Sequence, residues 1–291
     1  MIGVSAAPAA AAEDRVPLSA NFSTGELTGI AITATMDIAL FALQRPLVDW
    51  RGEPLVGDPG SLDRSVSNSL YRPGEGRLLG GVPDVGGQVI APVLVLGYYA
   101  LDAGLLFSRG RSLSGDANAD HELVALVEGY SLTAGLTQLA KIAIGRERPE
   151  YALGRRAPDR DDSEATVSFF SLHSSSSFCL AAFVWRDVSD WLTHERMQGE
   201  STNIRFWMGR VAPAILFYGA AALVGYSRIV DQKHYLSDVV FGALVGSAMG
   251  NLAYALHFDG SGQPRRRLAT PGPTRVMPSV VPNGIGLTLT W

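Results

Sequence analysis

The 291 residues read as an all-α chain, a multi-helix bundle with an irregular N-terminal region and a C-terminal tail. Three observations point there. Long apolar stretches recur without the strict alternation of a half-buried strand. Gly and Ala crowd the last two of these stretches, which suits helices packed backbone to backbone. Hydrophobic residues make up 47% of the chain, enough for a sizeable core and too many for a disordered one.

In order along the chain, residues 1–12 read MIGVSAAPAAAA. These small residues resemble a secretory cleavage region that lacks its basic start and most of its apolar run. Residues 1–14 are therefore read as a signal-peptide remnant, which implies export, or as a flexible tail. Residues 27–43 are apolar and interrupted by Asp37. Residues 44–84 are rich in Gly, Pro and Ser, with turn signals at Arg72-Pro73-Gly74 and Gly80-Gly81. That is long for a structureless loop, so it reads as a surface strap or a lid. Helices are expected over 85–107, 122–145, 174–192, 205–227 and 235–256. A charged loop, 150–168, carries Arg155, Arg156, Arg160, Asp161 and Asp162. After the last helix come Gly260-Ser261-Gly262 and Arg265-Arg266-Arg267. Residues 285–291 alternate like a single strand, too little for a barrel.

Charge and hydropathy narrow the classes. With 24 basic and 28 acidic residues the net charge is -4, and no basic footprint for nucleic acid stands out. The single cysteine, Cys179, excludes an internal disulfide framework and a thiolate zinc cluster. The mean hydropathy of +0.14 is high for a soluble protein and low for a polytopic one. A membrane span needs about 20 mostly apolar residues. Residues 239–256 qualify, whereas Asp102, Glu128 and Arg186-Asp187 interrupt the other stretches, at a cost unless paired or wet. That cost favours a soluble or peripheral bundle, with an integral membrane protein as the alternative.

Three patterns carry chemistry: Lys141-Ile-Ala-Ile-Gly-Arg-Glu-Arg148-Pro149, Ser168-Phe-Phe-Ser171-Leu172-His173-Ser174, and Ser227-Arg228-Ile-Val-Asp-Gln-Lys-His234-Tyr-Leu-Ser-Asp238. Each sits at the end of an apolar helix. Lys141 and Arg148 are two helical turns apart, and Arg228 closes another helix. Two arginines and a lysine converging on one pocket suit a dianion such as phosphate. Asp238 follows His234 by one turn and can accept a hydrogen bond from its ring, which fixes the tautomer and raises the basicity of the other nitrogen. An oriented neutral imidazole beside such a cradle is a nucleophile. His173 opens a helix and could protonate a leaving oxygen. Each residue alone has a plain structural reading, as a helix-end charge, a cap or an i,i+4 pair. The four fixed positions of the third pattern, however, arise by chance in only about 0.2% of chains this long.

Together the patterns resemble the superfamily of type-2 phosphatidic acid phosphatases, bacterial nonspecific acid phosphatases and vanadium haloperoxidases. Its signature is Lys-x6-Arg-Pro, then Pro-Ser-Gly-His, then Ser-Arg-x5-His-x3-Asp. The first and third match in full; in the second, Phe170 replaces the proline and Leu172 the glycine. The resemblance covers roughly 122–256. The region before it and the tail lie outside the resemblance; the chain is read as a helical phosphatase-like domain over 27–257 between the region 1–14 and a polar tail, 258–291, with a possible terminal strand. The resemblance implies that Lys141, Arg148 and Arg228 hold phosphate oxygens, helped by Ser171 and the backbone N–H of Leu172. His234 attacks phosphorus, Asp238 orients it, and His173 protonates the leaving alkoxide and then activates water.

The function expected is a metal-independent phosphatase of a phosphomonoester or a lipid phosphate or pyrophosphate, acting through a phosphohistidine. No cofactor, no metal and no nucleic acid partner is expected; the partner is a phosphorylated small molecule or lipid phosphate, with membrane association, in the periplasm or cell envelope. The alternatives are a vanadate-dependent haloperoxidase and a non-catalytic envelope protein whose site has decayed, the latter resting on Leu172. Asp116-x-Asn118-x-Asp120 resembles the start of a calcium loop, but His121 and Val127 stand where that loop needs glycine and glutamate. Asp120 is instead expected to cap the next helix.

Overall fold

The computed structural model describes residues 16–52, 55, 59–74, 77–110, 112–114, 118–157, 165–265, 275–281 and 284–290. The region 1–14, Asp116, Arg160, Asp161, Asp162, Arg266, Arg267 and Trp291 lie outside these. The helices in chain order are α1 (Leu18–Asn21), α2 (Thr24–Ala42), α3 (Gln44–Arg51), α4 (Ser61–Leu70), α5 (Val82–Val85), α6 (Ala91–Arg109), α7 (Ala119–Ile144), α8 (Pro149–Ala152), α9 (Leu172–Trp191), α10 (Thr202–Phe206), α11 (Ala212–Val230) and α12 (Leu236–His257). The body is all-α, as the apolar stretches require. The strand expected at the C-terminus has a partner: β1 (Arg275–Val281) and β2 (Gly284–Thr290) pair antiparallel, with Val280 opposite Ile285. Pro278, which cannot donate to a ladder, masks β1 in the sequence. The 44–84 stretch also differs from expectation, because α3, α4 and a tight turn at Leu78–Gly81 occupy it.

Local chemistry explains the helix limits. Ser23 and Glu26 form a reciprocal capping box at the start of α2, at 3.2 and 2.8 Å. Asn118, not Asp120, is the N-cap residue of α7, and its side chain accepts the Val16 N–H at 3.1 Å. Gly145 ends α7 in the left-handed conformation, φ 68°, and a Cβ there would lie 1.9 Å from the Arg51 guanidinium. Glycine meets both demands. The segments Leu78–Arg109 and Thr202–Val230 each contain one π-helical turn, Gly86–Ile90 and Trp207–Val211, just ahead of Pro92 and Pro213. A proline lacks the N–H for the i−4 carbonyl and presses against it, and one widened turn absorbs both effects.

Helix α9 runs through the centre, against α12, α11 and α7. It meets α12 along Gly242, Gly246 and Gly250, one turn apart, where added Cβ atoms would lie 2.8, 2.0 and 2.3 Å from the carbonyl oxygens of Ser171, Ser175 and Cys179. Phe22, Tyr99, Leu126, Leu180, Phe183 and Tyr254 form the buried core beside it.

The charges that weighed against membrane spans have partners. Asp102 is buried and accepts the Ser114 hydroxyl at 2.6 Å. Glu128 lies 2.6 Å from His257 Nε2, Asp187 accepts the Tyr99 hydroxyl, and Arg186 stacks over Tyr254. Four segments, Thr24–Ala42, Leu78–Arg109, Thr202–Val230 and Leu236–His257, are long and apolar enough to cross a membrane. Their outer faces expose Ile38, Phe107, Ile215 and Leu244. The preference for a soluble or peripheral bundle is therefore corrected: the charges it rested on are buried or paired, and the four segments carry exposed apolar side chains.

Candidate active site

The residues of the three motifs collect at one end of the bundle. Lys141 lies in the last turn of α7, Arg148 just after it, Ser171, Leu172 and His173 at the start of α9, Arg228 in the last turn of α11, His234 in the following loop, and Asp238 in the first turn of α12. Backbone hydrogen bonds stitch these ends together. Ser168 N–H donates to the Arg146 carbonyl at 2.8 Å, Ser171 N–H to that of Asp238 at 3.1 Å, and His234 N–H to that of Arg228 at 3.2 Å. Lys141, Arg148, Ser171, Arg228, His234 and Asp238 are buried, and the His173 side chain is 11% exposed.

Asp238 does not hold His234 directly. Nδ1 of the ring is 3.8 Å from the carboxylate, beyond hydrogen-bond reach. Nδ1 instead lies 2.7 Å from the Ser168 carbonyl. A carbonyl only accepts, so Nδ1 carries the proton and Nε2 keeps its lone pair. Asp238 acts one residue removed, accepting the Ser168 hydroxyl at 2.6 Å and the Tyr235 N–H at 2.9 Å. Arg146 fixes the carboxylate in turn, donating to Asp238 and to Asp63 of α4 at 2.6 Å each, with its guanidinium over the Tyr235 ring. Ser168, Arg146 and Asp63 were not among the expected site residues. Ser168 and Arg146 lie inside the quoted motifs, but spacing alone does not say what they touch; Asp63 has no sequence signal.

Ser171 caps α9, its Oγ accepting the Ser174 N–H at 3.4 Å. Leu172 is the first residue of that helix and is absent from the positive-φ positions, so an ordinary side chain fits the backbone there. The departure from glycine thus imposes no dihedral strain. Leu172 is only half-buried.

The surroundings of the His234 ring favour its neutral form. Burial first, then the positive charges of Arg148, Lys141, Arg228 and His173, hold its imidazole well below the ordinary 6.5. Four groups from three segments therefore act on one ring. His173 lies at the polar end of α9, ahead of its apolar run. Burial lowers its imidazole to about 4 while the Asp84 carboxylate pulls the other way. Asp84 reaches in from the 78–109 segment, to His173 Nε2 at 2.6 Å and Arg228 Nη1 at 2.7 Å. Beyond it an open cavity of about 630 Å³ is lined by Arg72, Arg77, Arg155, Arg156, Glu150 and Asp231. The start of the charged loop is tied down beside it, Arg155 to Ser67 Oγ at 3.0 Å and Glu150 to Lys233 at 2.7 Å.

The motif-bearing part of the chain is similar to known proteins. Residues 122–261 match the family model of the PAP2 superfamily. The chain is 30% identical over 178 residues to a PA-phosphatase related-family protein of Dictyostelium discoideum, covering 58% of this chain and 62% of that protein. It is 30% identical to human phospholipid phosphatase 2 over 43% of this chain and 46% of that one. To the lipid A 1-phosphatase of Porphyromonas gingivalis it is 30% identical over 45% and 23%. The chain thus spans less than two thirds of the length of these curated relatives. A solved structure, the transmembrane PAP2 type phosphatidylglycerolphosphate phosphatase from Bacillus subtilis, aligns over 75% of this chain and 93% of that one at 20% identity, with a TM-score of 0.46. All three motifs fall within 122–261, the part of the chain that matches the PAP2 superfamily model.

Proposed function

We propose that this protein is a membrane-embedded phosphatase of lipid phosphates that uses His234 as its nucleophile and needs no metal ion. One observation carries the reading: the His234 imidazole, its Nδ1 held by a carbonyl, is buried in the field of Arg148, Lys141 and Arg228, which disfavours its charged form. Burial keeps the lone pair on Nε2, and the surrounding cations attract the oxygens of a phosphoryl group and spread its developing charge. The N-terminal N–H groups of α9 add to that field. In the first step Nε2 bonds phosphorus and the ester P–O bond breaks, the leaving oxygen taking a proton from His173. In the second, water attacks the phosphohistidine, giving its proton to His173, and the P–N electron pair returns to His234. The lipid class is supported by the names of the relatives and by four apolar segments long enough to span a bilayer, two of which begin or end at this site.

The test is phosphate release from phosphatidate in mixed micelles containing EDTA. The wild type is expected to be active and vanadate-inhibited, and His234→Ala to lose at least about 1000-fold in kcat, as removal of a nucleophile does. His173→Ala is expected to accumulate an acid-labile, alkali-stable phosphoprotein with an aryl phosphate. Full activity in His234→Ala, or loss of wild-type activity in EDTA, removes this mechanism.

A further inference from the structure

A carboxylate beside a phosphate cradle repels the ligand, so Asp84 needs a reason to be there. Its Oδ1 lies 2.6 Å from His173 Nε2 and 2.7 Å from Arg228 Nη1, while Oδ2 pairs with Arg77 at 2.9 Å. Neither His173 Nε2 nor Arg228 Nη1 has a hydrogen bond of proper angle. The carboxylate therefore meets both groups as a lateral ion pair, which leaves their N–H directions to another acceptor. Its position is built into the fold. The turn at Leu78–Gly81 reverses the chain through Leu79, Gly80 and Gly81, all at positive φ, and the Leu78 N–H is anchored on Asp231 at the end of α11 at 2.8 Å.

We propose that Asp84 is a positioning residue for leaving-group protonation, holding His173 and Arg228 in register and supplying the counter-charge of the His173 imidazolium. The inference rests on the phosphatase reading above. As the N–P bond forms, the electron pair of the breaking P–O bond passes to the leaving oxygen, which takes the His173 proton. His173 is then neutral until water returns a proton in the second step. It must be cationic before the first step and after the attack of water, and an adjacent carboxylate favours that cation. The shared Oδ1 ties the proton donor to Arg228, a group that would hold the phosphoryl oxygens.

The experiment compares Asp84→Asn with the wild type in the full-length, detergent-solubilised protein on two substrates. An alkyl phosphate, short-chain phosphatidate, leaves as an alkoxide that must be protonated; p-nitrophenyl phosphate leaves as a stable phenolate. On the alkyl phosphate kcat should fall on the order of 10- to 100-fold with KM nearly unchanged, and on the aryl phosphate less than about 3-fold, the pattern of a weakened general acid. Asp84→Glu should recover part of the loss, and adding Asp84→Asn to His173→Ala should cost nothing further. Equal losses on both substrates would mean a merely structural role. A rise in kcat/KM with tighter inhibition by inorganic phosphate would mean that Asp84 plugs the site; either result overturns the proposal. If Asp84→Asn does not fold, Asp84→Glu is read for the same ratio between substrates. A wild type inactive on both substrates overturns the phosphatase reading and this inference together, whereas an active wild type with a flat ratio overturns this inference alone.

Discussion

His234 is held by the Ser168 carbonyl at 2.7 Å, and Ser168 is held by Asp238 at 2.6 Å. The carboxylate orients a serine, and the serine orients the imidazole. This separation keeps the negative charge 3.8 Å from the ring, while burial and the charges of Arg148, Lys141 and Arg228 favour its neutral form. Because the folded ring resists protonation more than the unfolded one, the unfolded state binds more protons at low pH. The folded state therefore loses stability as pH falls below 6.5 and loses none from this group above it. In the ligand-free protein, histidine NMR should find the His234 ring still neutral at pH 6.5. A ring titrating at or above that value would mean that its surroundings do not exclude the charge.

At the next scale, the site is an assembly of helix ends, and its precision depends on how closely the helices approach. The α9–α12 contact is set by Gly242, Gly246 and Gly250. A Cβ on Gly246 would lie 2.0 Å from the Ser175 carbonyl, an atom of the α9 backbone that cannot rotate away. Gly246→Ala should cost about 1–3 kcal/mol, the usual range for overpacking. It should also lower kcat, since Ser175 is two residues from His173. Gly219→Ala on α11, where an added Cβ meets nothing within 4 Å, should leave the thermal midpoint in detergent unchanged or slightly raised. Equal midpoints for the two variants would mean that the α9–α12 spacing relaxes without cost.

For the molecule as a whole, the outer surface is the informative feature. Ile38, Phe107, Ile215 and Leu244 stand exposed on segments long enough to span a bilayer, while Asp102 and Glu128 are satisfied inside. Water would penalise such a surface and lipid would not. When expressed with membranes, the protein should stay in the pellet after alkaline carbonate washing and leave it only with detergent. Release into the carbonate supernatant would return the peripheral reading.

The linear order of residues was sufficient for the helical body, because long apolar runs without alternation are a local property. Fixed spacing at helix ends, also a local property, singled out Lys141, Arg148, His173, Arg228 and His234 as candidates, and the fold brings them to one end of the bundle. The linear order misjudged the membrane question, since Asp102 and Glu128 look the same in a sequence whether they face lipid or a partner. It also assigned Asp238 to His234 from i,i+4 spacing, where folding interposes Ser168. Asp63 and Asp84 stayed hidden because each meets its partners across 83 to 174 residues of chain, Arg146 and Ser237 for one, His173 and Arg228 for the other. Such contacts arise only when separate helices pack, since electrostatic and hydrogen-bond energy depends on distance in space and not on distance along the chain.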